Sequence, residues 1–187
     1  YPMIGDPELV VAKLYDMLPA EATPGKRTAA DNATVFYTVE DEQTKRQYQL
    51  YRHRLGTDVH ELLYEEKDEA FGIGVGRTRS KSYLVLGISS LTTSESRLLP
   101  ADQPRGEWKT VAPRIPEQEY EIDHEGDFFL IRTNDTGRNF RLVKAPQTAP
   151  GRESWQEVVP HRPDVMLESI DCFKDFYVLG ERENGLP

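Results

Sequence analysis

Gly87-Ile-Ser-Ser-Leu91 is the stretch that comes nearest to a serine nucleophile. A nucleophilic serine of that kind sits in Gly-x-Ser-x-Gly, a strained strand-to-helix turn that exposes the hydroxyl beside backbone donors. The second glycine is missing here and Thr-Thr-Ser follows, with no helix, so Ser89 reads as a strand-end serine. Cys172, the single cysteine, lies at the end of an apolar strand. Nothing beside it would stabilise a thiolate, so it reads as a packing residue. Gly72-Ile-Gly-Val-Gly76 has the look of a phosphate loop, which must open a helix so that amides face the anion. Arg-Thr-Arg-Ser-Lys and another strand follow it, which fits a hairpin with closely approached backbone. His124-Glu125 has Phe128 where a zinc-binding pair would place its second histidine. His53, His60 and His161 add no ligand spacing, so the sequence offers no metal, cofactor or catalytic set. The carboxylates Glu65, Glu66, Asp68 and Glu69 could steer cationic substrates by focusing a negative field; solvated turns are the plainer role for them and for Glu40-Asp41-Glu42.

Composition narrows the classes further. The 187 residues carry 23 Lys and Arg against 32 Asp and Glu, a net charge of −9. That argues against a nucleic-acid binder, which needs clustered cations for phosphate, and against a basic membrane surface. No apolar run approaches the length of a membrane span, and no signal sequence opens the chain, so a reducing, cytoplasmic setting is expected. One cysteine excludes an internal disulfide framework. The chain opens on Tyr1, not a methionine, and reads as a piece of something longer.

The elements that must hold these residues are of two kinds. Asp6 can cap a helix with Pro7 at its first position, and Leu9, Val10, Lys13, Leu14, Met17 and Leu18 fall on or beside one stripe. An amphipathic helix is predicted near 7–17, ended by Pro19 and the segment 20–32. From Thr34 the period becomes two. Thirteen short strands are predicted, near 34–39, 48–53, 61–64, 71–75, 83–88, 94–99, 108–111, 120–122, 128–132, 140–144, 155–158, 166–170 and 176–179. Thr34-Val-Phe-Tyr, Ser82-Tyr-Leu-Val, Asp127-Phe-Phe-Leu and Asp175-Phe-Tyr-Val recur 48, 45 and 48 residues apart. Tyr51, Leu98 and Val143 keep the same beat, as do the segments starting at Tyr64, Ala112 and Val159. About four strands per period of 45–48 residues is the signature of β-propeller blades; a sandwich has no reason to repeat its sequence. The fold class is therefore all-β, a partial propeller of about three and a half four-stranded blades preceded by one short helix. The division is 1–30, helix-containing, and 31–187, blades.

Several strings carry a resemblance. Ala30-Asp-Asn-Ala-Thr-Val-Phe-Tyr-Thr-Val, Tyr48-Gln-Leu-Tyr-Arg-His-Arg-Leu-Gly-Thr57, Leu63-Tyr-Glu-Glu-Lys-Asp-Glu69, Leu91-Thr-Thr-Ser-Glu-Ser-Arg-Leu-Leu99, Arg138-Asn-Phe-Arg-Leu142 and Gly180-Glu-Arg-Glu-Asn-Gly-Leu186 resemble the propeller of oligopeptidase B, in the prolyl oligopeptidase family. The resemblance implies part of a seven-bladed propeller that caps an α/β-hydrolase domain and admits short peptides, cleaved there after Lys or Arg by a Ser-Asp-His triad. None of the triad can be placed on this chain. The implied partners are that hydrolase domain and short basic peptides; a stand-alone interaction module is the alternative. Residues 1–34 instead resemble a one-cysteine peroxiredoxin interior, through Tyr1-Pro-Met-Ile-Gly-Asp and Val11-Ala-Lys-Leu-Tyr-Asp-Met-Leu-Pro-Ala20, without its peroxidatic motif. The two meet at Ala30-Asp-Asn-Ala-Thr-Val35, which suits both families, so a chimera joined there is expected, with a natural fusion as the alternative. An open arc of blades leaves apolar faces and strand edges in water, and self-association is expected from that.

Overall fold

The computed structural model describes residues 27–29, 33–184 and 186. The predicted helix near 7–17 lies outside them, as do most of the residues of the peroxiredoxin-like segment. The strands are β1 (Arg27–Ala29), β2 (Thr34–Glu40), β3 (Gln47–Arg54), β4 (His60–Glu65), β5 (Gly72–Arg77), β6 (Tyr83–Ser89) and β7 (Ser94–Pro100). They continue as β8 (Lys109–Ala112), β9 (Tyr120–Glu125), β10 (Phe128–Thr133), β11 (Arg141–Pro146), β12 (Gln156–Val159), β13 (Val165–Cys172) and β14 (Tyr177–Glu183). Each of the thirteen predicted strands has its counterpart. The first strand, β1, pairs antiparallel with β2 and so brings part of the 1–30 segment into the first sheet.

Every neighbour pairing is antiparallel and sequential. Three four-stranded sheets run β1 to β4, β5 to β8 and β9 to β12, and a two-stranded sheet joins β13 to β14. This is the partial propeller of three and a half blades. Contacts between sheets gather on the first strands: β5 lies against β1, β2 and β3, and β9 against β7 and β13. The sheets therefore fan out from an axis lined by β1, β5, β9 and β13.

Apolar residues on both faces of the central strands fill the seams between sheets. Leu84, Leu86 and Ile88 of β6 turn to the first sheet and meet Phe36 and Leu50, while Tyr83 and Val85 turn to the third. Phe129 and Ile131 of β10 face the second sheet, and Leu130 faces Leu167 and Cys172 of the half blade. Strands buried on both faces read as continuous apolar runs, which explains Tyr-Leu-Val-Leu and Phe-Phe-Leu-Ile. Each fully buried aliphatic side chain contributes about 1.5–3 kcal/mol. Trp108 and Trp155 stand just before β8 and β12 and pack edge-on against Phe36 and Tyr120.

At one end of the fan each blade ties its second turn to the link that leaves it. Arg46 donates through Nη1 to the carbonyls of Glu66, Asp68 and Phe71 at 3.1, 3.2 and 2.9 Å. The Glu117 N–H donates to Thr93 Oγ1 at 3.0 Å, and Asn139 Nδ2 to the carbonyls of Arg162 and Pro163 at 3.0 and 2.6 Å. These bonds fix where each link enters the axis.

Candidate functional site

A cavity of about 600 Å³ wraps the inner edge of β9, reaching from Gly76, Gly87 and Ser89 across Glu119–Asp123 to Ile170. The alternation of Tyr120-Glu-Ile-Asp-His-Glu125 sets the chemistry of that edge. Tyr120 and Ile122 pack into the seam with the second sheet, so Glu121, Asp123 and Glu125 share the opposite face. Arg132 Nε donates to Glu121 Oε2 at 3.3 Å, and the Arg79 N–H to Asp123 Oδ1 at 2.9 Å. Gly72-Ile-Gly-Val-Gly76 forms the inner strand of the β5–β6 hairpin, with Gly74 opposite Gly87. At Gly72 and Gly76 the predicted close approach is absent: a Cβ at Gly72 would lie 3.9 Å from the Gln47 carbonyl, and one at Gly76 would meet nothing within 4 Å. These glycines leave open space.

The link from β4 to β5 carries the acidic candidates. Glu65 is exposed and accepts from Gln49 Nε2 at 2.9 Å; Asp68 and Glu69 are exposed, Asp68 capping the Ala70 N–H at 3.0 Å. Glu66 is 5% exposed and forms an ion pair with Arg114, which reaches across from the next link. Tyr64 Oη donates to Glu66 at 2.6 Å, the Asp68 N–H donates at 3.0 Å, and Arg114 also approaches Glu95 at 3.6 Å while stacking on Phe71. Burial alone would raise the Glu66 carboxyl; the Arg114 and Tyr64 hydrogen bonds outweigh it and hold the group below its ordinary value. Burial, then Glu66 itself, pushes the Tyr64 phenol up to about 12. None of the four carboxylates lines the β9 cavity. Sequence alone does not single out Arg114 or Arg46: an arginine in a proline-flanked link or at the end of a polar turn looks like any surface cation. Trp108 and Trp155, 47 residues apart, offered a readable signal of seam anchors.

The remaining candidates are scattered. Ser89 ends β6 on the surface, opposite Ser94. His124 Nδ1 lies 2.9 Å from Ser80 Oγ, but the ring is buried between Tyr83 and Phe129, and burial lowers its pKa. His53 stacks on His60 at 4.2 Å across β3 and β4. Asp41 caps its own turn, accepting from the N–H groups of Gln43 and Thr44. Cys172 is buried, and burial with the nearby Asp123 pushes its thiol up to about 12. Among the described residues no three His, Cys, Asp or Glu side chains group as a metal site, and no helix is long and apolar enough to cross a membrane.

Comparison with known proteins agrees with this architecture. Residues 26–187 match the family model described as prolyl oligopeptidase, N-terminal β-propeller domain. The chain is 38% identical over 168 residues to dipeptidyl aminopeptidase BI of Pseudoxanthomonas mexicana, covering 88% of this chain and 23% of that protein. It is 36% identical over 154 residues to protease 2 of Moraxella lacunata, covering 81% and 22%. The solved oligopeptidase B of Leishmania major superposes with a TM-score of 0.75 at 30% identity, over 83% of this chain and 22% of that one. The chain thus spans under a quarter of the length of these relatives.

Proposed function

Because the chain belongs to the prolyl oligopeptidase N-terminal β-propeller family, we propose that it serves as the gating propeller of an oligopeptidase-B-like serine peptidase. It is the non-catalytic part: short peptides pass along its axis to a separate hydrolase domain that cleaves after Lys or Arg. The observation that supports this best is the fan itself, three complete sheets and a half, with first strands at the axis and unfilled space along them. The exposed carboxylates Glu65, Asp68 and Glu69 would add to a negative field that draws cationic peptides, and the net charge of −9 acts in the same direction. A reducing, cytoplasmic setting suits the free, buried Cys172. Outside the longer protein, the open arc is expected to associate with itself.

One long read of the source DNA across this reading frame, followed by assay of the full-length product, tests the proposal. The expected frame completes the propeller and encodes a Gly-x-Ser-x-Gly hydrolase that cleaves a short arginyl peptide and spares the same sequence inside a folded protein. A frame without a hydrolase would overturn it in favour of a stand-alone interaction module. Inhibitor-sensitive arginyl-peptide hydrolysis by the 187-residue chain alone would overturn it as well.

A further inference from the structure

Strand β9 is the free inner edge of the third sheet. Tyr120 turns both main-chain groups away from β10: its N–H donates to Ser94 Oγ at 2.6 Å, and Ser94 Oγ donates to its carbonyl at 2.9 Å. The His124 N–H is taken by Asp123 Oδ1 at 2.8 Å. Alternate residues of a strand direct their main-chain groups to the same edge. Ile122, between these two, therefore presents its N–H and C=O to the cavity of about 600 Å³. The facing wall carries glycine at two positions, set among Arg77, Arg79, Val85 and Ser89. Gly76 and Gly87 have no positive φ, and a Cβ at Gly87 would meet only the Gly74 carbonyl, at 3.8 Å. Neither conformation nor crowding requires glycine there, and any larger side chain would fill the space.

An extended chain lying beside Ile122 could add main-chain hydrogen bonds to the β9 edge. Its flanking residues would then stand opposite Glu121 and Asp123, within cross-strand reach. Asp123 is already engaged by the Arg79 main chain, whereas the Glu121 side chain is 66% exposed and held on one oxygen by Arg132. Arg132 is itself fixed, donating to the Leu167 carbonyl at 3.2 Å and stacked on Phe140 at 3.9 Å. We infer that the β9 cavity is a subsite for an extended peptide, docked main chain to main chain at Ile122 and carrying a Lys or Arg side chain onto Glu121. The subsite rests on the reading of the axis as a peptide path and gives that path a side-chain preference.

The test is fluorescence anisotropy of the 187-residue chain with a labelled hexapeptide, blocked at both ends, containing one arginine among alanines. Saturable binding is expected below about 1 mM, the range of weak single-site contacts. The glutamine version of the peptide should bind about tenfold more weakly, a difference of ~1.4 kcal/mol. Glu121→Gln should remove that preference without changing the affinity for the glutamine peptide, and Gly87→Val should abolish binding of both. Should Gly87→Val fail to fold, the exposed Glu121→Gln carries the test. Equal affinity for the two peptides, an unaltered preference in Glu121→Gln, or no saturation overturns the inference. The readout needs no hydrolase. A full-length enzyme that still excludes large substrates while its propeller binds no peptide would lose the subsite and keep the gate.

Discussion

Arg114 holds the electrostatics of the first seam. Glu66 is nearly dry, and removing its cation would leave a buried carboxylate with only Tyr64 and one amide as donors. Breaking such a pair from one side costs about 3 kcal/mol, more than the pair contributes as a whole. Arg114→Ala should therefore lower the unfolding free energy read from a urea titration by that amount, and adding Glu66→Gln should recover part of it. The carboxyl of Glu66 is held below its ordinary 4.5, so the folded chain binds that proton less readily than the unfolded chain. The stability it contributes is complete above that ordinary value and is lost as pH falls through the lower, folded one. Glu66→Gln should accordingly flatten the acid limb of a stability profile below about pH 4.5; an unchanged limb would deny the shift. Cys172 makes the opposite kind of statement, a group silenced by its surroundings. With its thiol pushed up to about 12 and its side chain buried, it should resist iodoacetamide at pH 8 in the native chain and react once urea is added.

Elements were legible because two independent sequence signals agreed, the period of two within strands and the period of 45–48 residues between blades. Boundaries slipped where a side chain overrode the strand pattern. Phe140 was expected to open a strand, yet it takes φ +61° with its ring under Arg132, and β11 begins one residue later. Nothing local announces β1: Arg27–Ala29 is three residues long, without alternation, and is specified by its partner β2. The site was less legible than the fold. Four neighbouring carboxylates look alike in sequence, and only the approach of Arg114 from 48 residues away separates Glu66 from the rest. The β9 cavity depends on glycines of another blade, which no local pattern announces. Two substitutions test the elements themselves. Leu86→Ala, at the centre of the first seam, should cost about 2–5 kcal/mol in chemical denaturation. Gly126, with φ +56° between β9 and β10, should cost about 1–2 kcal/mol as valine, with the register of that hairpin otherwise kept.

For the molecule as a whole, two opposing effects meet at its open end. Strand β14 occupies the place of β2, β6 and β10, each of which pairs along both edges, but among the described strands it pairs only with β13. Phe176, Tyr177, Val178 and Leu186 are correspondingly exposed, at 57%, 37%, 49% and 71%. An unpaired edge flanked by apolar side chains is a template for a strand from another chain. Against this stands the net charge of −9, whose repulsion is screened beyond about 8 Å at physiological salt. Edge pairing acts at hydrogen-bond distance, where a short-range gain outlasts the screened repulsion, so association should strengthen as salt is added. Sedimentation of the chain is expected to show a concentration-dependent dimer that grows between low and physiological ionic strength. Val178→Lys, which puts a charge on the free strand, should return it to monomer without lowering its unfolding midpoint. A compact monomer at every salt concentration, or a dimer indifferent to Val178→Lys, would mean that the edge of β14 is not the contact.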